Sequence, residues 1–147
     1  MARCHIFPVP NAPGRPSYLH ETGGIPGNWA LDYMCPPGSL VLAPTRLKIT
    51  RLSGHSPTQG ELPGAVFGYS LYGVDEEGFT FFFTHLARRY VKVGQWYCPG
   101  ATLARVGQWP KDKPRTHLHM GITGPTKAVS QGRSKAIAQK ARKLKPA

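Results

Sequence analysis

Short apolar runs separated by glycine and proline are the feature that most limits the fold of this chain. Its 147 residues include 17 glycines and 15 prolines. β-prone residues fill the runs between them, and few stretches show a long helical pattern. A chain of this length buries one core and is too short for two comfortable domains. We therefore predict one small all-β domain with many turns.

The apolar runs also give the order of the predicted strands. Residues 65–74 and 79–86 flank the segment D-E-E-G, a hairpin signal that places Gly78 where a positive φ is needed. This hairpin predicts two longer antiparallel strands, and the turn-rich segment 55–64 is predicted to be a surface loop. The predicted strands are 39–44, 46–52, 65–74, 79–86, 102–106 and 116–123.

The two ends of the chain differ in composition from the domain predicted over residues 18–123. Residues 1–17 are rich in proline, which predicts an extended arm. Residues 124–147 carry seven basic residues and no acidic residue. Within this basic tail, residues 134–144 show a weak helical stripe and predict a short helix. Two interpretations of the tail stay open, a solvated charged segment and a docking or anion-binding segment.

The formal net charge of +12 predicts attraction to a negatively charged partner. Nucleic acid, an anionic cell wall and acidic protein surfaces all qualify by charge. We do not expect nucleic acid to be the partner, because the chain has no recognised binding motif. Its positive charge is also concentrated in the tail, whereas nucleic-acid-binding surfaces interleave charge with aromatic residues.

No membrane span or signal peptide is expected from the sequence. No stretch approaches the roughly 18 apolar residues of a spanning helix, and the N-terminal segment MARCHIFPVPNAPGRP lacks an apolar core. We expect a soluble protein made in the cytoplasm, which something else must carry if it acts outside the cell. Cys4, Cys35 and Cys98 are odd in number and form no C-x-x-C pair, so free thiols are expected.

The sharpest chemical signal is the pair of histidines in T-H-L-H-M-G-I. His117 and His119 are two residues apart in a β-prone run, and side chains in a strand repeat with a period of two. Both imidazoles are therefore predicted to project from one face. Such a pair can serve a metal ion and a substrate-facing base, while two exposed strand histidines are the ordinary alternative.

Two further residues add to this signal by their order along the chain. His85 ends the run 79–86, and the same period predicts that it shares a face with Phe81 and Phe83. Asp32 follows a glycine-rich turn upstream of all three histidines.

The order of these motifs resembles the lysostaphin-type zinc metallopeptidases, a family of peptidoglycan endopeptidases. T-H-L-x(7)-G-Q, a short apolar strand ending in V-G, and H-L-H-M-G-I are similar to the second half of the family domain. G-N-W-A-L-D-Y followed by P-P-G-S-L-V-L-A-P is similar to its first half. The resemblance covers about residues 18–123 and implies the lysostaphin-type fold for this segment, a single small antiparallel β-sheet domain of barrel-sandwich shape.

The resemblance also implies a site with zinc as the cofactor. Asp32 and His119 would be two of the zinc ligands, and His85 and His117 would orient or deprotonate the attacking water. Zinc with three protein ligands lowers the pKa of a bound water to about 7. The metal and a nearby imidazolium stabilise the negative oxygen that forms as a peptide bond is attacked.

The sequence departs from the family at the first zinc ligand. The family usually has a histidine four residues before the aspartate, and this chain has Asn28 there. Asparagine is a poor zinc ligand. The nearest replacement is His20, which is separated from Asp32 by a glycine-rich segment and stands in a context similar to that of some phage-type relatives. We predict His20 as the third ligand.

These features together predict a zinc-dependent endopeptidase that cleaves peptidoglycan peptides. The expected absence of a signal peptide and the basic tail favour a bacteriophage protein, either part of the virion tail or released from the host cytoplasm at lysis. Residues 1–17 and 124–147 would then contact other tail proteins. The alternative is a catalytically degenerate domain that serves as a structural part of a phage tail or as a wall-binding module, with Asn28 marking the loss of the metal.

Overall fold

The computed structural model describes residues 6–14, 16–17, 20–21, 29–54, 68–109, 113–124 and 134–144, with residues 20 and 21 described by their backbone alone. These ranges contain one antiparallel sheet and one short helix, α1 (Lys135–Arg142). The strands are β1 (His20–Glu21), β2 (Trp29–Met34), β3 (Leu40–Leu42), β4 (Leu47–Gly54), β5 (Tyr69–Val74), β6 (Thr80–Arg89), β7 (Trp96–Tyr97), β8 (Thr102–Val106) and β9 (His117–Thr123). A 3-10 turn, Lys113–Arg115, precedes β9.

Hydrogen-bonded neighbours in the sheet follow the order β1-β2-β9-β6-β5-β4-β7. The long strand β6 changes partner along its length. Its first half pairs with β9 as far as Thr84, and its second half pairs with β8 from Leu86 onwards. β8 in turn pairs with β3. The all-β antiparallel fold predicted from the sequence is confirmed.

Most predicted strands are present with shifted ends. The strand predicted at 39–44 is shorter, and the one predicted at 79–86 runs on to Arg89. β5 begins at Tyr69, and the preceding residues 65–67, like the loop predicted at 55–64, lie outside the described residues. β2 was not predicted as a strand, because Ala30 and Leu31 are both buried and the alternation is broken there.

The hairpin between β5 and β6 is closed by Asp75. Its Oδ1 accepts hydrogen bonds from the backbone N–H groups of Glu77 at 3.0 Å and of Phe79 at 2.9 Å. Gly78 has a φ of 90°. The glycine therefore occupies the positive-φ position predicted for it.

The core lies on one face of the sheet, and both ends of the described chain contribute to it. Phe7 and Val9 are buried near β3, where the Leu42 N–H donates to the Pro8 carbonyl at 2.7 Å. Ala138 and Ala141 of α1 are buried where the helix packs against β2 and β9. The largest fully buried side chains are Tyr33, Phe79, Phe81, Phe83, Leu31, Leu47, Ile49, Leu71, Leu86, Leu103, Leu118 and Met120.

Burial also determines the state of two titratable groups. Desolvation raises the pKa of the Tyr33 phenol far above its usual range, so this side chain stays neutral in the core. Burial raises the pKa of the Cys35 thiol in the same way. Cys35 and the exposed Cys98 are free thiols, and Cys4 lies outside the described residues.

Within the described ranges, no helix has the length and apolar character needed to cross a membrane.

Candidate functional site

The candidate site lies where three neighbouring strands, β2, β9 and β6, run side by side. In the strand register, Asp32 of β2 is opposite His119 of β9, and Thr84 of β6 is opposite His119 on the other side. Leu118 and Met120 are fully buried, whereas His117 and His119 retain some exposure. The two histidines therefore share the face opposite the core, as the period of two predicts.

Asp32 and His119 are in direct side-chain contact at the centre of the site. The Nδ1 of His119 lies 3.1 Å from the Oδ1 of Asp32, and their side chains are 12% and 29% exposed, respectively. Ser17 holds the backbone of Asp32 through two hydrogen bonds. Its N–H donates to the Asp32 carbonyl at 2.8 Å, and its Oγ accepts from the Asp32 N–H at 3.1 Å.

The spacing of these two donor atoms suits a zinc ion. Zinc binds histidine nitrogen and carboxylate oxygen at about 2.0–2.1 Å in a tetrahedral arrangement, so two such ligands lie about 3.4 Å apart. The observed distance of 3.1 Å between the His119 Nδ1 and the Asp32 Oδ1 is close to this ligand–ligand distance. An imidazole nitrogen and a carboxylate oxygen are also ligand types that zinc accepts. Asp32 and His119 therefore fit as two ligands of one ion.

His117 lies beside this pair with a defined tautomer. Its Nδ1 is 2.8 Å from the Arg115 carbonyl oxygen, which can only accept, so Nδ1 carries the hydrogen. Its Nε2 lies 3.9 Å from the Oδ1 of Asp32. In the neutral ring, this second nitrogen has a free lone pair on the side of the site.

His85 reaches the same site by a route that differs from the prediction. The prediction that it shares a face with Phe81 and Phe83 is wrong, because those two rings are buried in the core. The His85 ring instead lies 4.7 Å from that of His117 and 6.0 Å from that of His119, between centroids.

A β-bulge in β6 explains the change of face. The register with β5 shifts between Tyr69 and Leu71, and His85 has a φ of 71°, a left-handed value that is uncommon outside glycine. His85 also stands between the half of β6 that pairs with β9 and the half that pairs with β8. The alternation slips by one residue there, so Leu86 takes the buried position and His85 faces the other way.

Gly68 allows the chain to approach this bulge. A Cβ atom at Gly68 would lie 2.9 Å from the Leu86 nitrogen, closer than real Cβ atoms come to a neighbour, and 3.0 Å from the His85 Cα. Gly68 itself has a φ of 83°. The sequence analysis missed its role, although an isolated glycine inside a β-prone run is a signal for a bulge or a close backbone approach.

Trp109 is a second residue that the sequence analysis missed. Its ring stacks on His117 with centroids 5.2 Å apart and planes at 30°. It meets the His85 ring edge to face, also at 5.2 Å. The Trp109 backbone N–H donates to the Thr116 Oγ1 at 2.9 Å, which ties this loop to the start of β9. Trp109 thus contacts the imidazoles of both His85 and His117.

His20, the predicted third ligand, is placed by its backbone only. β1 pairs with β2 so that His20 is opposite Ala30, two residues before Asp32. Asn28 lies outside the described residues. Among the described side chains, no group of three or more histidine, cysteine, aspartate or glutamate residues is arranged to hold a metal ion. The assignment of His20 therefore stays a prediction.

Comparison with known proteins gives matches among solved structures. No family model and no curated protein matches the chain. Lysostaphin from Staphylococcus simulans, described as an antimicrobial peptidase, matches with a TM-score of 0.65 and 18% identity, over 96% of this chain and 55% of its own. A variant catalytic domain of the prophage-encoded M23 protein EnpA from Enterococcus faecalis matches with a TM-score of 0.57 and 16% identity, over 79% and 85%.

A zinc-containing peptidase from Vibrio cholerae also matches, with a TM-score of 0.55 and 17% identity, over 82% of this chain and 36% of its own. The chain thus spans about half of lysostaphin and about a third of the Vibrio protein. The chain has the fold of the lysostaphin-type M23 peptidases.

Proposed function

We propose that this protein is a zinc-dependent endopeptidase that cleaves peptide bonds of bacterial peptidoglycan by means of metal-activated water. The observation that carries the proposal is the Asp32–His119 pair, 3.1 Å apart, with two further imidazoles beside it on the same face. The lysostaphin-type fold supports the reaction class, and the resemblance of the sequence motifs supports peptidoglycan as the substrate.

Each residue of the site has a role in this proposal. His20, Asp32 and His119 would hold the zinc ion. When bound, zinc makes water a better nucleophile at neutral pH and polarises the carbonyl that is attacked. His117 would take the proton from the attacking water, because its Nδ1–H is committed to the Arg115 carbonyl and its Nε2 is free. His85 would donate a hydrogen bond to the oxygen that becomes negative.

The proposal predicts about one zinc ion per chain and a specific third ligand. Zinc analysis of the purified protein is expected to show about one ion for the wild type and for Asn28→Ala, and less than a tenth of this for His20→Ala. A chelator should abolish cleavage of purified peptidoglycan, and added zinc should restore it.

The pair of variants tests the two possible first ligands against each other. Full zinc occupancy in His20→Ala would show that the assignment of this residue is wrong. A wild-type protein that binds no zinc and cleaves no peptidoglycan would favour the catalytically degenerate domain instead.

We further propose a bacteriophage setting, with a role in the virion tail slightly favoured over release at lysis. The net charge of +12 and the seven basic residues of 124–147 support contacts with negatively charged partners. Residues 1–17 and 124–147 would supply contacts to other tail proteins through those parts that do not pack on the core. The prophage-encoded EnpA domain of similar fold supports a phage origin.

Mass spectrometry of purified phage particles tests this setting. The chain is expected among the tail proteins at a fixed ratio to them. If the host lysate contains the chain and the purified particles do not, the virion role is ruled out and release at lysis remains.

A further inference from the structure

A row of side chains extends from the site across the outer face of the sheet. The Phe82 ring lies 5.9 Å from that of His119, and the Tyr72 ring stacks on Phe82 at 4.7 Å with planes at 25°. The guanidinium carbon of Arg51 lies 5.4 Å from the centre of the Tyr72 ring. The strand register places Phe82 opposite Tyr72, and Tyr72 opposite Arg51. One aromatic and cationic row therefore joins β9 to β4 across three adjacent strand pairs.

This row is not part of the hydrophobic core. The neighbours of Phe82 along β6, Phe81 and Phe83, are buried on the opposite face. Phe82 and Tyr72 are half-buried, and Arg51 is exposed. Rings that stay partly in water at the edge of a candidate catalytic site are suited to bind a ligand, because covering them removes apolar surface from solvent.

The length and charge of the row limit what it can bind. Neighbouring strands are about 4.8 Å apart, so Arg51 lies roughly 14 Å from β9 along the sheet. An extended peptide rises about 3.3 Å per residue, so this distance corresponds to about four residues. Arg51 ends the row with a permanent positive charge and a planar fork that suits a carboxylate.

We propose that Phe82, Tyr72 and Arg51 form a substrate subsite for an extended peptide with a free carboxylate. The two rings would support the peptide, and Arg51 would bind the carboxylate about four residues from the scissile bond. The subsite rests on the proposed function, because it extends the same endopeptidase site towards one end of its substrate.

Binding of two matched probes tests the subsite without relying on turnover. The probes are soluble peptidoglycan stem-peptide fragments, one with a free terminal carboxylate and one with the same end amidated. Titration calorimetry with the His117→Ala variant, which should retain the metal but cleave slowly, gives their affinities. Combining Arg51→Gln with His117→Ala is expected to lower the affinity for the carboxylate probe about tenfold, which is the usual contribution of a charge-assisted hydrogen bond. The affinity for the amidated probe should not change.

Two further variants make the result specific. Arg46→Gln is the matched control, since the Arg46 guanidinium lies over Trp96 at 4.1 Å, next to the edge strand β7, and it should change neither affinity. Tyr72→Ala should lower the affinity for both probes, because it removes the central ring of the row. Equal weakening of both probes by Arg51→Gln, or no change in either, would overturn the subsite.

The subsite and the proposed function fail in different ways. If the wild-type protein cleaves peptidoglycan but binds both probes equally well, only the proposed subsite is contradicted. If the wild-type protein neither cleaves peptidoglycan nor binds either probe, both the subsite and the proposed function are contradicted.

Discussion

Replacing His119 by alanine is expected to lower the zinc content from about one ion per chain to less than a tenth, and to reduce peptidoglycan cleavage at least 10³-fold. The Nδ1 of His119 and the Oδ1 of Asp32 lie 3.1 Å apart. The variant therefore removes one of the two atoms that we propose as zinc ligands. Asp32 and one further ligand cannot hold zinc tightly, because structural and catalytic zinc sites use three or four protein ligands.

His117→Ala is the matched comparison for this variant. The side chain has the same chemistry and lies on the same strand, but its Nε2 is 3.9 Å from the Asp32 oxygen and its Nδ1 is committed to Arg115. This variant is expected to retain zinc and to lose about 10²- to 10⁴-fold in rate, the usual contribution of a general base. Elemental analysis and a cleavage assay on the same samples separate the two roles.

Two outcomes would contradict this assignment. If His117→Ala loses zinc as fully as His119→Ala, then His117 is a ligand and another group must take the proton. If His119→Ala retains zinc, then the metal is not held by the pair on β2 and β9, and the proposed function loses its main support.

The parts of the fold that the sequence predicted are those where each strand has one face in the core. In β6 and β9, apolar residues such as Phe81, Phe83 and Leu118 alternate with residues of the other face, so a pattern of period two is visible. The same period placed His117 and His119 on one face. The two-residue strands β1 and β7 carry no such pattern, because a pair of residues cannot show a period.

The position of His85 could not be predicted from alternation. Its face depends on a bulge, and a bulge is set by contacts between β5 and β6 that are absent from the local pattern. Trp109 was missed for a related reason. Its loop lies beside the two histidines only because the chain turns at Lys113–Arg115 before β9, and a single aromatic residue in a polar loop gives no signal of such a contact.

Gly68 is therefore the residue through which the bulge can be tested. Gly68→Ala is expected to reduce kcat about 10²-fold while zinc content and KM change little. The displacement falls on the backbone that carries the His85 ring, and the proposed ligands on β2 and β9 are not touched. The added methyl would meet the backbone of His85 and Leu86 at 2.9–3.0 Å, where no flexible side chain can move aside. We expect the free energy of unfolding to fall by about 3 kcal/mol, from this contact together with the left-handed backbone.

Gly94→Ala separates the cost of the backbone conformation from the cost of the contact. Gly94 also has a positive φ, 90°, but a Cβ there would meet nothing within 4 Å. Its loss of stability should be only about 1–2 kcal/mol, and its rate per folded molecule should equal that of the wild type. Urea denaturation and kinetics at a temperature where both variants are folded give the comparison. Equal rates for the two variants would mean that the left-handed bulge at His85 tolerates displacement and that His85 has no role that depends on its position.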